Sequence, residues 1–372
     1  MSLIETHSVT HSPRLVIVVP TYKRTTLLRR LLEDISLQMV QPQAVVIVDG
    51  DPASGEVLQM LANMSLPAAW RIVYQPSNHA NAPFQRYLGW RVALEFGGDV
   101  LLYFDDDLRL HKPDAIAKVI TPFTWDESDV LGVTADIKFG DVSRLPDTEA
   151  LRNPQSRLWY VLVKLFGSST HVPPGGLSPV GHRQLPVREK QDEYAVVQWL
   201  RGGVMAYRME AIDKGCFSED AFAMAHIRCG LGVDDTALSR DIGSNGKMLI
   251  AFETGIEHPD DDTPKAYPYR ARKLAYATAY SRRFLNDVYR NPAPPTLSDR
   301  LALLKNYVGV TAFAWLRAVT SFKAYRFAYA WGYTQGAMRG LVQKPTAKNL
   351  TPHIDWWADA EKALKNLRII QE

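Results

Sequence analysis

The chain has 372 residues, with 43 Lys+Arg against 40 Asp+Glu, 46% of them hydrophobic and 22% charged. This is ordinary globular composition, which excludes wholesale disorder and fibrous repeats, and the length suggests two domains or one large domain with a tail. Two cysteines, Cys216 and Cys229, are too few for a disulfide framework and match no metal-ligand spacing, so a reduced, cytoplasmic setting is expected.

The opening MSLIETHSVTHSPR lacks the basic-then-apolar order of a signal peptide and reads as a loose tail over 1–13. Leu15–Val19 is a short apolar, β-branched run between Pro13 and Pro20, the pattern of a buried parallel strand. Leu27, Leu28, Leu31, Leu32 and Ile35 then recur at helical spacing. AVVIVDGD is a second strand, a helical stretch starts at Ser54, and WRIVYQP is a third strand. PFQRYLGWRVALEF reads as a helix stopped by Gly97-Gly98, and DVLLYFDDD as a fourth strand running into three aspartates. Strands alternating with helices predict βαβ units: a mostly parallel, Rossmann-like sheet with helices on both faces. Ligands of such sheets bind beyond the carboxyl ends of the strands. Those ends carry Pro20-Thr21-Tyr22, Asp49-Gly50-Asp51 and Asp105-Asp106-Asp107.

Arg144 to Glu193 is a long excursion rich in Pro and Gly, the kind of segment that is usually functional or disordered. VVQWLRGGVMAYR reads as a strand broken by Gly202-Gly203, DDTALSRDIGSNG as a short helix, and KMLIAFETGIEHPDDD as a run that reaches His258. From Pro264 the texture is helical: Lys265–Tyr289, the NPAPP linker, Leu301–Val342, and an amphipathic helix over His353–Ile370. The division expected is thus 1–13, an α/β domain over 14–263 and a basic helical region over 264–372.

Charge is divided unevenly along the chain. From Pro264 onward there are 18 Lys+Arg and 6 Asp+Glu, a net of +12, against −9 for the rest. The longest uncharged runs between Leu301 and Val342 have 11 and 12 residues, too short for a membrane span of about 20. Tyr307, Phe313, Trp315, Phe322, Tyr325, Phe327, Tyr329, Trp331 and Tyr333 interleave there with Arg317, Lys323, Arg326 and Arg339. That mixture suits the face of an anionic membrane. Nucleic acid is the less favoured partner, and an ordinary packed helical pair is the competing reading.

Three aspartates at a strand end repel one another, and a divalent cation with oxygen ligands is their natural partner. A nucleotidyltransferase would carry a glycine-rich phosphate loop after the first strand, and PTYKR has no glycine.

The pieces IVVPTYKR, VIVDGD, NAPFQRYLGW, LLYFDDDL, LRGGVMAYR, CFSEDAF, GLGVDDTALSRDIGSNGKMLIA and IEHP occur in this order over Leu15 to Pro259. In this order they resemble the GT-A fold glycosyltransferases of family 2. The resemblance implies an inverting transfer of a sugar from a nucleotide-diphosphate donor to a hydroxyl of a glycan or lipid-linked acceptor, with Mn²⁺ or Mg²⁺. UDP is expected ahead of dTDP or GDP. It implies that Asp107, with Asp105 and His258, holds the metal, and that Asp106 is the middle residue of the acidic motif. It implies a nucleobase pocket of Pro20, Thr21 and Tyr22, with Asp49, or Asp51, accepting from base or ribose. Arg24 and Arg86 become phosphate partners. Asp235 becomes the general base, and Asp234 stands where relatives carry Glu. Gly202 and Gly203 let backbone approach the donor sugar, and Trp199 and Arg201 flank the acceptor. A non-catalytic nucleotide-sugar- or lipid-binding protein on the same fold is the alternative.

Overall fold

The computed structural model describes residues 13–125, 129–139, 172–189, 191–227, 233–259, 268–290 and 293–371. Most of the Arg144–Glu193 excursion therefore lies outside the described residues.

β1 (Leu15–Thr21), β2 (Ala44–Asp49), β3 (Arg71–Pro76) and β4 (Val100–Phe104) are buried along nearly their whole length. They pair in parallel, in the order β3-β2-β1-β4. The continuous apolar runs arise because both faces are covered. Leu15, Ile17 and Val19 face the side packed by α1 (Thr25–Ser36), α2 (Glu56–Ala62) and α4 (Ala115–Ile120). Val16 and Val18 face the side packed by α3 (Ala82–Leu94).

Beyond β4 the sheet becomes mixed. β5 (Arg109–Leu110) and β7 (Lys138–Phe139) flank β11 (Ile256–His258) in a small second sheet. In the main sheet β9 (Val204–Arg208) lies antiparallel between β4 and β6 (Val130–Ala135). β10 (Lys247–Ala251) runs parallel to β6 and antiparallel to β8 (Tyr194–Val197). The two halves of VVQWLRGGVMAYR are thus separate strands joined by a turn at Gly202-Gly203. α5 (Glu219–His226) and α6 (Val233–Gly243) join α3 on the second face.

The C-terminal region consists of α7 (Pro268–Val288), α8 (Leu297–Ser321), α9 (Ala324–Val342), the short α10 (Ala347–Leu350), and α11 (Trp356–Leu364). The helix expected over His353–Ile370 ends early. Arg368–Gln371 forms β12, which pairs antiparallel with β3 and closes that edge of the sheet. Trp356 is wholly buried against Phe84 and Phe222, so the tail is interwoven with the front of the chain.

α9 packs on α7 through Gly332 and Gly336. A Cβ at Gly332 would lie 2.1 Å from the Arg272 carbonyl oxygen, and one at Gly336 would lie 2.4 Å from that of Tyr276. Gly332→Ala must push two backbones apart. It should cost about 1–3 kcal/mol, the usual price of overpacking, and lower the thermal midpoint by several degrees.

The aromatic pattern of this region mostly serves the bundle, contrary to its reading as a membrane-facing stripe. Tyr307 and Tyr333 are buried, and their hydroxyls donate to Ala279 O and Asn306 Oδ1. Trp315 donates to Thr334 Oγ1 on α9. Of the nine rings, only Phe322 and Trp331 are exposed. Among the described residues, no helix is long and apolar enough to cross a membrane.

Candidate functional site

The carboxyl ends of β1, β2 and β4 converge at one edge. Thr21 stands opposite Asp49 in the β1–β2 register, and its hydroxyl donates to Asp106 Oδ2 at 2.7 Å. Pro20 is buried at the end of β1, whereas the Tyr22 ring is exposed at the mouth, with the Lys23 ammonium over it. Asp49 is buried and accepts from Tyr74 Oη at 2.9 Å and from the Asp51 N–H at 2.8 Å. Burial pushes its carboxyl above the usual range in spite of those donors. Asp51 lies 3.9 Å from Lys23.

The three aspartates do not share one environment. Asp105 accepts from Arg86 Nη2 at 2.9 Å. Asp106 is buried and accepts from Arg24 Nη1 at 3.1 Å, and burial pushes its carboxyl up against the pull of Thr21 and Arg24. Asp107 Oδ2 takes the same Arg24 nitrogen at 2.6 Å. Arg24 and Arg86, expected on donor phosphates, therefore neutralise the acidic cluster from α1's start and from α3. Repulsion among the aspartates is met by these arginines and does not by itself demand a metal.

A cation-seeking position remains at Asp107 Oδ1. It is buried, has no hydrogen-bond partner, and lies 3.4 Å from His258 Nε2 on β11. His258 Nδ1 is 2.9 Å from the Pro259 carbonyl, which only accepts. In the neutral ring the proton therefore sits on Nδ1, and Nε2 turns a lone pair toward the carboxylate. Two acceptors facing each other suit a divalent cation with one oxygen and one nitrogen ligand. Among the described residues, no three His, Cys, Asp and Glu side chains cluster closely enough to hold a metal, and Asp105, expected beside Asp107 and His258, is turned to Arg86.

The turn at Gly202-Gly203 links this cluster to a second carboxylate. The Gly202 carbonyl accepts from Arg86 at 3.0 Å, and the Gly203 carbonyl accepts from the Asp105 N–H at 3.0 Å. On its other side, the Gly202 N–H donates to Asp235 Oδ2 at 2.9 Å. A Cβ at Gly202 would stand 3.0 Å from that oxygen, a tight contact that glycine avoids.

Asp235, on the first turn of α6, is 4% exposed. Its Oδ1 accepts from the Thr236 N–H at 2.6 Å and from Arg183 Nη2, which also reaches Thr236 Oγ1. Burial pushes this carboxyl up, but Arg183, Arg86 and the Thr236 N–H outweigh it and hold it below the usual carboxylate range. The side chain of Asp234 lies outside the described residues.

Trp199, expected beside the acceptor, is 1% exposed, and the Arg183 and Arg201 guanidiniums lie 5.6 Å and 5.9 Å from its ring. Arg201 is turned inward, donating from Nη1 to Ile137 O at 3.2 Å. The residue that sequence reasoning missed is Arg183. Only its cationic character was visible, in a segment whose Pro and Gly content suggested irregular chain.

The sequence profile described as Glycosyl transferase family 2 matches residues 16–173, which include the three aspartates and end before Arg183, Asp235 and His258. No curated protein matches by sequence. Solved structures that are similar at low identity include the following three. The mannosyltransferase PcManGT from Pyrobaculum calidifontis, in complex with GDP-Man and Mn²⁺, is 15% identical with TM-score 0.48, covering 94% of this chain and 90% of its own. S. aureus TarS 1-349 is 12% identical with TM-score 0.42, covering 88% and 90%. Glucosyl-3-phosphoglycerate synthase from Mycobacterium tuberculosis, with Mn²⁺, UDP and phosphoglyceric acid, is 12% identical with TM-score 0.34, covering 73% and 79%.

Proposed function

We propose that the chain, whose residues 16–173 match the glycosyl transferase family 2 profile, is a metal-dependent, inverting glycosyltransferase. It takes a sugar from a nucleotide diphosphate to a hydroxyl of a glycan or lipid-linked acceptor. The observation that carries this reading is the pairing of two unlike carboxylate sites across one turn. On one side, Asp107 faces His258; on the other, Gly202 holds Asp235.

The acceptor oxygen attacks the anomeric carbon while the bond from that carbon to the diphosphate breaks. Asp235, held ionised, receives the hydroxyl proton, because an alcohol is too weak a nucleophile unaided. Attack opposite the leaving group gives inversion. Thr21, Tyr22 and Asp49 face the nucleobase and ribose, with UDP proposed ahead of dTDP and GDP. Arg24 and Arg86 set the aspartates in place and stand close to where the diphosphate would lie. Asp107 and His258 would hold Mn²⁺ or Mg²⁺, completed by donor phosphate and water. When bound, that ion offsets the charge developing on the departing diphosphate.

Asp107→Ala should leave the fold intact and remove the metal dependence of donor binding. Calorimetric titration of UDP-, dTDP- and GDP-sugars with Mn²⁺, Mg²⁺ or chelator reads this directly. Equal affinity of the wild type with and without metal would sink the metal assignment.

We also propose an anionic membrane surface as a partner, engaged by α8. Leu297, Leu301, Leu304, Val308, Leu316, Val319 and Phe322 form one exposed face along this helix. The sequence has no carboxylate between Asp299 and Asp355, but eight Lys and Arg. An apolar seam in a stretch of sequence whose charges are all cationic fits peripheral attachment.

A further inference from the structure

Arg183 reaches Asp235 from a hairpin that the C-terminal helices hold in place. The hairpin runs from Leu177 to Arg183, which pair as an antiparallel bridge, and its turn closes through Gly181 N–H to Ser178 O at 2.9 Å. Gly181 has φ +76°, and a Cβ there would meet Leu285 of α7 at 2.3 Å, so the turn is shaped to that helix.

Pro179, Val180 and His182 of the hairpin are gripped by the bundle as well. Asn286 Nδ2 donates to Pro179 O at 3.1 Å, and Arg282 Nη1 donates to Val180 O at 2.6 Å. Val180 is wholly buried among Ala275, Ala279, Leu303, Tyr307 and Tyr333. His182 Nε2 lies 3.3 Å from the Asn306 amide nitrogen, whose Oδ1 takes the Tyr333 hydroxyl at 3.0 Å. The Arg282 charge and burial push the His182 imidazole down to about 3, so it is a neutral acceptor for that amide. The next residue, Arg183, lies over Trp199 and forks onto Asp235 Oδ1 and Thr236 Oγ1.

We infer that Arg183 is a positioning residue for the general base Asp235, and that α7, α8 and α9 are part of the catalytic apparatus because they set the hairpin that carries it. The inference rests on the reading of Asp235 as the base. A carboxylate that is bound at both oxygens by Gly202, Thr236 and Arg183 has a fixed direction for its remaining lone pairs. Fixed direction is what proton transfer in the transition state requires. The charged groups facing Asp235 are Arg183 from the hairpin and Arg86 from α3. Removing Arg183 leaves a buried carboxyl with Arg86 and two backbone N–H donors as its support. Its titration must then move up, because an adjacent guanidinium that favoured the ionised form is gone.

The test is the pH profile of kcat/KM for Arg183→Gln, Arg183→Lys and Asn306→Leu in the full chain, beside Asp235→Asn. Arg183→Gln should lower kcat, with donor affinity unchanged, and shift the acid limb upward by about 1–3 units. Arg183→Lys keeps the charge and should hold the limb near its wild-type position. Asn306→Leu touches neither Asp235 nor donor and should shift the limb in the same direction by less. An unmoved acid limb in Arg183→Gln, with Asp235→Asn inactive, would overturn this inference alone. Near-normal turnover of Asp235→Asn would overturn both it and the assignment of the base.

Discussion

Asp235→Asn is expected to slow sugar transfer by about 10²-fold or more, the usual size of a lost general base, and to leave donor affinity within a few-fold. The amide matches the carboxylate in volume, so the buried site is neither emptied nor overfilled. It does not match it in hydrogen bonding. Oδ2 faces the Gly202 N–H, while Oδ1 faces Arg183 and the Thr236 N–H, and every one of these groups donates. An amide has one oxygen and must set its NH₂ against donors on the other side, and it has no means of taking a proton at neutral pH. The residues proposed for the donor, from Thr21 to Asp107, lie across the Gly202-Gly203 turn and keep their contacts. Single-turnover rates beside calorimetric donor titration separate the two effects, and turnover near the wild-type rate would place the base elsewhere. The pH dependence has a definite sign. Burial alone would raise the Asp235 carboxyl, but the arginines and the Thr236 N–H hold it below the ordinary range. Wild-type activity should therefore stay flat from neutral into mildly acid pH and fall only below the usual carboxylate range.

What was legible in the sequence depended on whether a signal was local. β1 to β4 were readable because strands buried on both faces show unbroken apolar runs, and the helices between them carry their own spacing. The acidic ends of β2 and β4 were readable for the same reason. The partners of those acids were not, because Arg86 is carried on α3 and Arg24 on the loop before α1. The aspartate triplet therefore suggested more need for a metal than the structure leaves. Arg183 was hidden more deeply. Nothing in its neighbourhood marks a site, and its role exists only once α7 and α8 close over the hairpin. RIIQ at the end of the chain is too short to announce a strand, and β3's open edge is what makes it one. Rings alternating with cations have one appearance on a membrane-facing helix and in a three-helix bundle. Here the glycines of α9 decide, by bringing α7 close enough to bury Tyr333.

Replacing Leu304 and Val308 together by Glu should weaken binding to anionic vesicles by about 10²-fold while the melting temperature stays near that of the wild type. Both side chains are exposed, 43% and 58%, and sit on the outer face of α8, so folding gains little from them. At a bilayer each apolar chain is worth roughly 1 kcal/mol, and each new carboxylate meets a repulsion of about the same size. Two substitutions then remove about 3–4 kcal/mol, which is a factor of at least 10² in affinity. Point substitutions are the sharper test because the C-terminal region cannot be cut away cleanly. Truncation would also release the 177–183 hairpin and unpair β12 from β3. The surrounding cations supply the second half of the attraction. Lys305, Arg317, Lys323 and Arg326 lie on or beside α8 with no carboxylate in the intervening sequence, and each is worth about 1 kcal/mol at an anionic surface. Binding should therefore fall as salt is raised, because the Debye length shrinks from about 10 Å at 0.1 M to about 3 Å at 1 M. Co-sedimentation with phosphatidylserine-containing and purely zwitterionic vesicles, at low and high salt, measures both halves. Equal binding to the two vesicle types, or a concentration-dependent dimer that the Glu pair dissolves, would assign the α8 face to something other than an anionic membrane.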